Sequence, residues 1–305
     1  MSPSAEPESG HDPVLLDEVL RLLDPKLGQV FLDCTVGRAG HSSQIATRLG
    51  KSGTLIGLDA DPRNLEYAKD ALKGAPCTVR LFHANFAELK DVLAEASTPA
   101  VDGILADLGI STNQLFDSQY GLSFASDMPL DMRIDPRIRM TAADLVNTMR
   151  EDDLANVLYE LAQERHSRRI ARNIAQARRT QPINSTERLA DLVRQAIPPP
   201  RRGSASEKID PATRTFMALR MAVNEELPNL DALLHQAPQH LNPGGRFGVI
   251  AFHSGEDRRV KQAFRSAEQT GHVSILTKKP ITPSEEEIAR NPRSRSAKLR
   301  VIQKN

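Results

Sequence analysis

Val30-Phe31-Leu32-Asp33-Cys34-Thr35-Val36-Gly37-Arg38-Ala39-Gly40-His41-Ser42 reads as a buried strand, a glycine turn and the start of a helix. Val30–Cys34 is a short apolar run of strand length, and Ser42–Leu49 continues as a helix. Gly37 and Gly40 fall where the strand turns. Lacking Cβ, they let the backbone bend sharply and approach a ligand closely, although βα turns also use glycine for geometry alone.

The unit then repeats. Thr54–Asp59, Val79–His83 and Gly103–Asp107 are further strand-like runs, and Pro62–Leu72 and Glu88–Ala96 are the helices between them. Strands alternating with helices imply right-handed βαβ crossovers and a parallel sheet covered on both faces. After Leu108 the alternation stops. Met140–Asn147, Glu151–Gln163, Arg168–Ala177 and Thr186–Ile197 all read as helices, with Thr141 and Thr186 as N-caps. Pro198–Pro200 and the following RRGSASEK have linker composition. The helix Pro211–Leu227 then leads back to a fifth strand, Arg246–Phe252, and His272–Lys278 and Ala297–Gln303 alternate like a late antiparallel pair. The expected fold is α/β: a seven-stranded Rossmann-like sheet, residues 1–112 and 208–305, interrupted by an all-helical domain, residues 113–207.

Composition narrows the class. Hydrophobic residues at 39% with 26% charged describe a globular chain, not a disordered one. No apolar run approaches the ~18 residues of a membrane span. The polar, acidic N-terminus is unlike a secretory or transit signal, and two cysteines make neither a disulfide framework nor a zinc cluster. The expectation is a cytoplasmic protein with no metal and no membrane partner. The net charge of +1 conceals a split: residues 1–164 carry 14 basic and 26 acidic side chains, and residues 165–305 carry 26 basic and 13 acidic. Such asymmetry suggests a polyanionic partner, or two halves that neutralise each other.

The strand ends carry the chemistry. Asp59 closes the second strand about 20 positions past the glycine turn, where a carboxylate can accept hydrogen bonds from both ribose hydroxyls of a nucleoside cofactor. Asp61 precedes Pro62 and reads as the cap of the next helix. NAD and S-adenosylmethionine both satisfy this pattern. The loop reads Gly-Arg-Ala-Gly and lacks the G-x-G-x-x-G expected for NAD. Phe86, after the third strand, can pack on an adenine face or in the core. Asp107 ends the fourth strand, where open α/β sheets bind ligands, and can accept from an amino group of cofactor or substrate.

Taken with further blocks, these residues resemble the RsmH (MraW) family of small-subunit ribosomal RNA cytosine-N4 methyltransferases. The matching blocks run in order over nearly the whole chain: His11-x-Pro13-Val14-Leu15-Leu16, Gly37–Ser42, Asp107–Ser111, Pro129–Asp135, Ser167–Ala171, Pro211–Phe216, Phe252–Ser254, Glu256–Arg258 and Asn291–Ser296. The resemblance implies an S-adenosyl-L-methionine site made by Ala39, Gly40, His41, Asp59, Phe86, Asp107 and Gln114. It implies methyl transfer to N4 of a cytidine in the decoding region of 16S rRNA, as naked RNA, precursor particle or assembled subunit. A homodimer stays open. Ala39 stands where a third glycine is usual, Met128 where glycine is, Asp210 where histidine is, and Gly255 where leucine is. Leu161–Glu164 replaces the usual Tyr-Gly-Glu-Glu.

For such a reaction Asp107, or the carbonyls of Asp107–Gly109, is the expected catalytic acceptor, with His253 as a second candidate proton acceptor or else a structural histidine of its turn. Tyr120 and Phe124 can stack on an unstacked base, Phe124 equally being core. RNA phosphates would be met by Arg165, Arg168, Arg169, Arg172, Arg178 and Arg179, with no acid between Arg165 and Thr186, and by the acid-free tail from Ile288 with Arg290, Arg293, Arg295, Lys298, Arg300 and Lys304. Arg133 and Arg214, within matched blocks, join them. Two other readings stay open at this point: a nucleotide-binding oxidoreductase, and an rRNA-binding protein without catalysis.

Overall fold

The computed structural model describes residues 13–198 and 210–305. His11 and all of the expected linker except Pro198 lie outside the described residues. The chain divides into two units, residues 1–109 with 229–305, and residues 110–228.

The first unit is built on a sheet. Helix α1 (Leu16–Leu23) precedes β1 (Val30–Asp33). The chain then alternates through α2 (Gly40–Leu49), β2 (Thr54–Asp59), α3 (Pro62–Ala71), β3 (Thr78–His83), α4 (Leu89–Glu95) and β4 (Val101–Asp107). Strands β1 to β4 pair in parallel, in the spatial order β3-β2-β1-β4. Consecutive strand residues point to opposite faces. Phe31 and Leu55 therefore pack with Val19, Leu23, Ile45 and Leu49, while their neighbours Leu32 and Ile56 pack with Leu89, Val92 and Leu93. Both faces are covered, which is why the strands read as unbroken apolar runs.

The second unit is helical. It holds α5 (Thr112–Phe116), α6 (Ala142–Thr148), α7 (Glu151–Ala162), α8 (Ser167–Ala177), α9 (Thr186–Ala196) and α10 (Ala212–Val223). Its core gathers Leu145, Leu154, Leu158, Ile170, Ile174, Leu189, Val193, Phe216 and Leu219. The expected boundary at 207/208 is corrected: α10 packs on α6, α7 and α9, so the helical unit runs to residue 228. The expected single helix Pro211–Leu227 breaks after Val223. There the Asn224 side chain donates to Met132 O at 2.8 Å and accepts from Ile134 N at 2.8 Å, and Glu225 turns left-handed. The cap of α9 is also corrected. Ser185 Oγ accepts from Arg188 N at 3.3 Å, whereas Thr186 is buried, donating to Ser126 O and accepting from Met128 N.

The chain returns through α11 (Glu226–Gln236) to β5 (Leu241–Ala251), which joins β4 in parallel. Then come α12 (Ser254–Gln269), β6 (Val273–Ile275), α13 (Glu285–Arg290) and β7 (Lys298–Lys304). Strand β7 runs antiparallel to both β5 and β6, completing the order β3-β2-β1-β4-β5-β7-β6 among the described residues. No helix of the described residues is long and apolar enough to cross a membrane.

Gly103 pairs with Phe31 across β4 and β1, and a Cβ there would meet the Phe31 ring at 1.9 Å. Gly103→Ala is expected to destabilise the fold by about 1–3 kcal/mol through overpacking. Phe31→Leu in the same chain should recover part of the loss. Denaturant midpoints of the two variants check this, and an unchanged midpoint for Gly103→Ala contradicts it.

Candidate active site

The site is laid out at the carboxyl edge of the sheet, in the first unit. At the end of β1 the chain leaves the ladder. Cys34 N still donates to Leu105 O of β4, and Val36 N to Leu58 O of β2, both at 2.8 Å. Gly37 and Ala39 then adopt left-handed backbones, at φ 51° and 65°. The second is unusual for a residue with a Cβ. Gly40 opens α2 against Pro13, whose Cβ would lie 3.2 Å from an added methyl.

Asp33, 2% exposed, holds this turn together. Its Oδ1 accepts from Thr35 N at 3.1 Å, and its Oδ2 accepts from the Ser42 hydroxyl at 2.6 Å. The Thr35 hydroxyl in turn accepts from Asp107 N at 2.7 Å. Burial pushes the Asp33 carboxyl up despite these hydrogen bonds.

Asp59 fixes the other side of the turn. Oδ2 accepts from Gly37 N at 2.8 Å and from Asn64 Nδ2 at 3.3 Å, and Oδ1 accepts from Asp61 N at 2.8 Å. Burial drives its pKa to about 6, against the pull of the backbone N–H donors. Asp61 caps α3 as expected, accepting from Arg63 N.

Asp107 stands at the end of β4. Its side chain is about a quarter exposed, yet Oδ1 is buried and has no hydrogen-bond partner among the described residues. Oδ2 lies 3.6 Å from His41 Nδ1. Burial raises this carboxyl well above the usual range, and the nearby Asp33 and Glu256 charges add to the effect. The other ring nitrogen of His41 is 2.9 Å from Val14 O.

The remaining predicted residues divide. Phe86 opens a 3-10 turn and packs against the sheet core. Gln114 lies in the helical unit, where its Oε1 accepts from Ser111 N at 2.9 Å and closes a capping box. His253 takes the structural place that was its alternative. It is the N-cap of α12, its Nδ1 accepts from Gly255 N and Glu256 N, and Nε2 therefore carries the ring proton, 3.2 Å from Glu256 Oε1. Tyr120 is buried in the helical core, and Phe124 packs edge-on to Phe216 with the centroids 4.7 Å apart.

The arginines divide as well. Arg168, Arg169, Arg214, Arg293 and Arg295 are exposed. Arg172 is exposed but lies 3.6 Å from Glu151 of α7, an acid that the local sequence could not reveal. Arg133 grips Asp131 through two nitrogens, at 2.7 and 2.8 Å, and donates to Ile138 O, so it also fastens its own loop. In the tail, Lys298 and Arg300 both pair with Asp257. Sequence reasoning missed Asp33 and Thr35 as site organisers, although both were visible in the opening stretch.

Four departures from the family pattern have local accounts. Ala39 adopts the backbone region glycine favours. Met128 is buried with its N–H bonded to Thr186 Oγ1. Asp210 pairs with Arg194 at 2.8 Å and accepts from Ala212 N at the start of α10. Gly255 keeps a Cβ off the His253 ring, which it would meet at 3.0 Å.

A sheet ordered β3-β2-β1-β4-β5-β7-β6 with β7 reversed, a glycine turn after β1 and an acid at the end of β2 define an S-adenosylmethionine-dependent methyltransferase. The residues suit that cofactor: Asp59 Oδ1 has one carboxylate lone pair beyond that used by Asp61 N, and Asp107 holds an unpartnered buried oxygen. A profile of the MraW methylase family matches residues 8–305, and the chain belongs to this family. It is 48% identical over 301 residues to the "Ribosomal RNA small subunit methyltransferase H" of Acidobacterium capsulatum, covering 96% of this chain and 98% of that one. It is also 48% identical over 297 residues to the protein of the same name from Koribacter versatilis (95% and 92% covered). With that from Cyanothece sp. it shares 47% over 299 residues (98% and 96% covered).

The raised pKa of Asp59 fixes the sign of a pH dependence. A carboxyl that titrates near 6 in the folded chain, above its ordinary 3.8, destabilises the fold when ionised, and this cost is relieved as pH falls through 6. As a ribose acceptor, the role expected from its place at the end of β2, Asp59 would act in its ionised form, so cofactor binding would run the opposite way. Affinity should be flat above about pH 7 and fall as pH drops below about 6, approaching tenfold per unit. Calorimetric titration from pH 5 to 8 checks this, and affinity that does not weaken at low pH contradicts it.

Proposed function

We propose that this chain transfers a methyl group from S-adenosylmethionine to the N4 amino group of a cytidine in the decoding region of 16S rRNA, in the cytoplasm. Its relatives' shared name supports the small-subunit rRNA substrate. The observation that carries the amine assignment is Asp107, whose buried Oδ1 lacks a donor at the strand end where ligands enter such sheets.

Asp59 would hold the ribose, with Phe86 on the adenine side. The turn of Ala39, Gly40 and His41 would approach the rest of the cofactor, with Gln114 a further contact. When bound, S-adenosylmethionine supplies a methyl carbon activated by the sulfonium beside it. The protein's work is then to position and prepare the amine. The exocyclic nitrogen of cytosine is a poor nucleophile because its lone pair is delocalised into the ring. An oxygen that accepts from N4–H draws the nitrogen towards sp³ geometry and frees that pair. Asp107 Oδ1 does this without first giving up a partner. The target base has to leave its stack to arrive.

Exposed Arg168, Arg169 and Arg214 of the helical unit, and Arg293 and Arg295 of the sheet unit, would grip phosphates. Such contacts give affinity and salt dependence and do not read the base.

Incubation with labelled cofactor and small-subunit RNA, as naked RNA, precursor particle or assembled subunit, should yield N4-methylcytidine in the decoding region by mass spectrometry. A methyl group elsewhere, or none on any of these substrates, overturns the reading. Asp107→Ala should fold normally and lose about a hundredfold or more in rate. Replacing Arg168 and Arg169 together by Ala should weaken RNA binding and flatten its salt dependence. A salt slope equal to wild type would remove these two residues from the interface.

A further inference from the structure

Helix α1 begins without a cap of its own. Its N-cap residue is Leu15, whose side chain accepts no hydrogen bond and whose backbone is left-handed, at φ 55°. That conformation is costly for a residue with a Cβ and persists only where the surroundings hold it. The holder is Glu287 of α13, 272 positions further along the chain: its Oε1 accepts from Leu15 N at 2.8 Å. A carboxylate there also meets the positive end of the helix dipole. The two residues before Leu15 lie on the turn after β1. Pro13 packs on Gly40, where an added methyl would come within 3.2 Å of the proline Cβ. The oxygen of buried Val14 is 2.9 Å from His41 Nε2, and since a carbonyl only accepts, the ring donates. Pro13–Leu15 is thus a strap on the first residues of α2, fastened by Glu287. All of these residues belong to the first unit.

We propose that Glu287 is a positioning residue for the cofactor site: by holding Leu15 N it seats the strap Pro13–Leu15 on Gly40 and His41, and so sets the turn in the shape that receives S-adenosylmethionine. This rests on the reading that places the cofactor at the turn of Ala39, Gly40 and His41. Glu287 acts on that turn through Leu15 and Val14. The far end of α1 is held separately, because Arg48 of α2 donates to Leu20 O and Arg246 of β5 donates to Leu22 O. Loss of the Glu287 carboxylate therefore frees the strap and leaves the helix docked.

Calorimetric titration of S-adenosylmethionine into the full chain tests this. Glu287→Ala should raise the cofactor Kd about tenfold, the scale of losing one hydrogen bond to a charged group. Glu287→Gln keeps an oxygen acceptor for Leu15 N and should stay within about threefold of wild type. At saturating cofactor, kcat and the KM for RNA of Glu287→Ala should also stay within about threefold, because the strap shapes the turn and touches no reacting atom. His41→Ala, in the turn itself, should weaken cofactor binding. Glu287→Ala added to it should cost less than in wild type, since the strap has then lost its contact with the ring. Wild-type affinity in Glu287→Ala overturns the proposal. So does a Glu287→Gln no better than Glu287→Ala, a fall in kcat as large as the fall in affinity, or losses that add in full with His41→Ala. Wild-type affinity in His41→Ala overturns the reading of the turn, and the proposal with it. Should Glu287→Ala fail to fold, Glu287→Asp, one methylene shorter, is judged by the same outcomes. The titrations involve no RNA, so a methyl group found elsewhere on the RNA would overturn the substrate reading and leave the strap standing.

Discussion

The carboxylate of Asp33 is the hub of the sheet's carboxyl edge. It takes the main-chain N–H of Thr35 and the hydroxyl of Ser42, so the end of β1 and the first turn of α2 are fixed to one buried group. Through Thr35 it reaches the backbone of Asp107 on the neighbouring strand. The glycine turn is thereby closed from below by Asp33 and from the side by Asp59, which holds Gly37 N. A buried charge without a counter-charge is costly, and several hydrogen bonds are the usual remedy.

The same constraint explains the electrostatics. Among the described residues, Asp33, Asp59 and Asp107 have no lysine or arginine partner, and burial raises all three carboxyls. Sites that hold such groups are arranged for a ligand that brings donors or positive charge. S-adenosylmethionine brings both, with two ribose hydroxyls, an ammonium and a sulfonium. The acidic first half of the chain thus reflects a site as well as a surface. The basic second half is partly spent inside the fold, since Lys298 and Arg300 both serve Asp257.

Much of this was legible in the sequence because short apolar runs between glycine turns admit few topologies. The five core strands and the late antiparallel pair were readable, with ends shifted by a few residues. Helix α12 escaped notice because only Glu256, Val260 and Phe264 of its charged sequence are buried, one residue per turn. The edge of the insertion was misplaced because nothing local distinguishes an α10 that packs on the helical unit from one that packs on the sheet. Asp59 and Asp107 were readable from their places at strand ends. The diversions of Arg133, Lys298, Arg300 and His253 were not, because each depends on where a partner folds: Arg133 on a loop carbonyl, the tail cations on Asp257, and His253 on the first turn of a helix.

If Asp33 organises the site, its removal should be felt by a cofactor it does not touch. Cofactor affinity of Asp33→Ala, measured by calorimetry beside a circular dichroism spectrum, tests this most directly. Freeing Thr35 and Ser42 leaves buried polar groups unpaired, a cost of about 1–3 kcal/mol, so affinity should fall about tenfold or more with the spectrum unchanged. Wild-type affinity in Asp33→Ala would contradict the account.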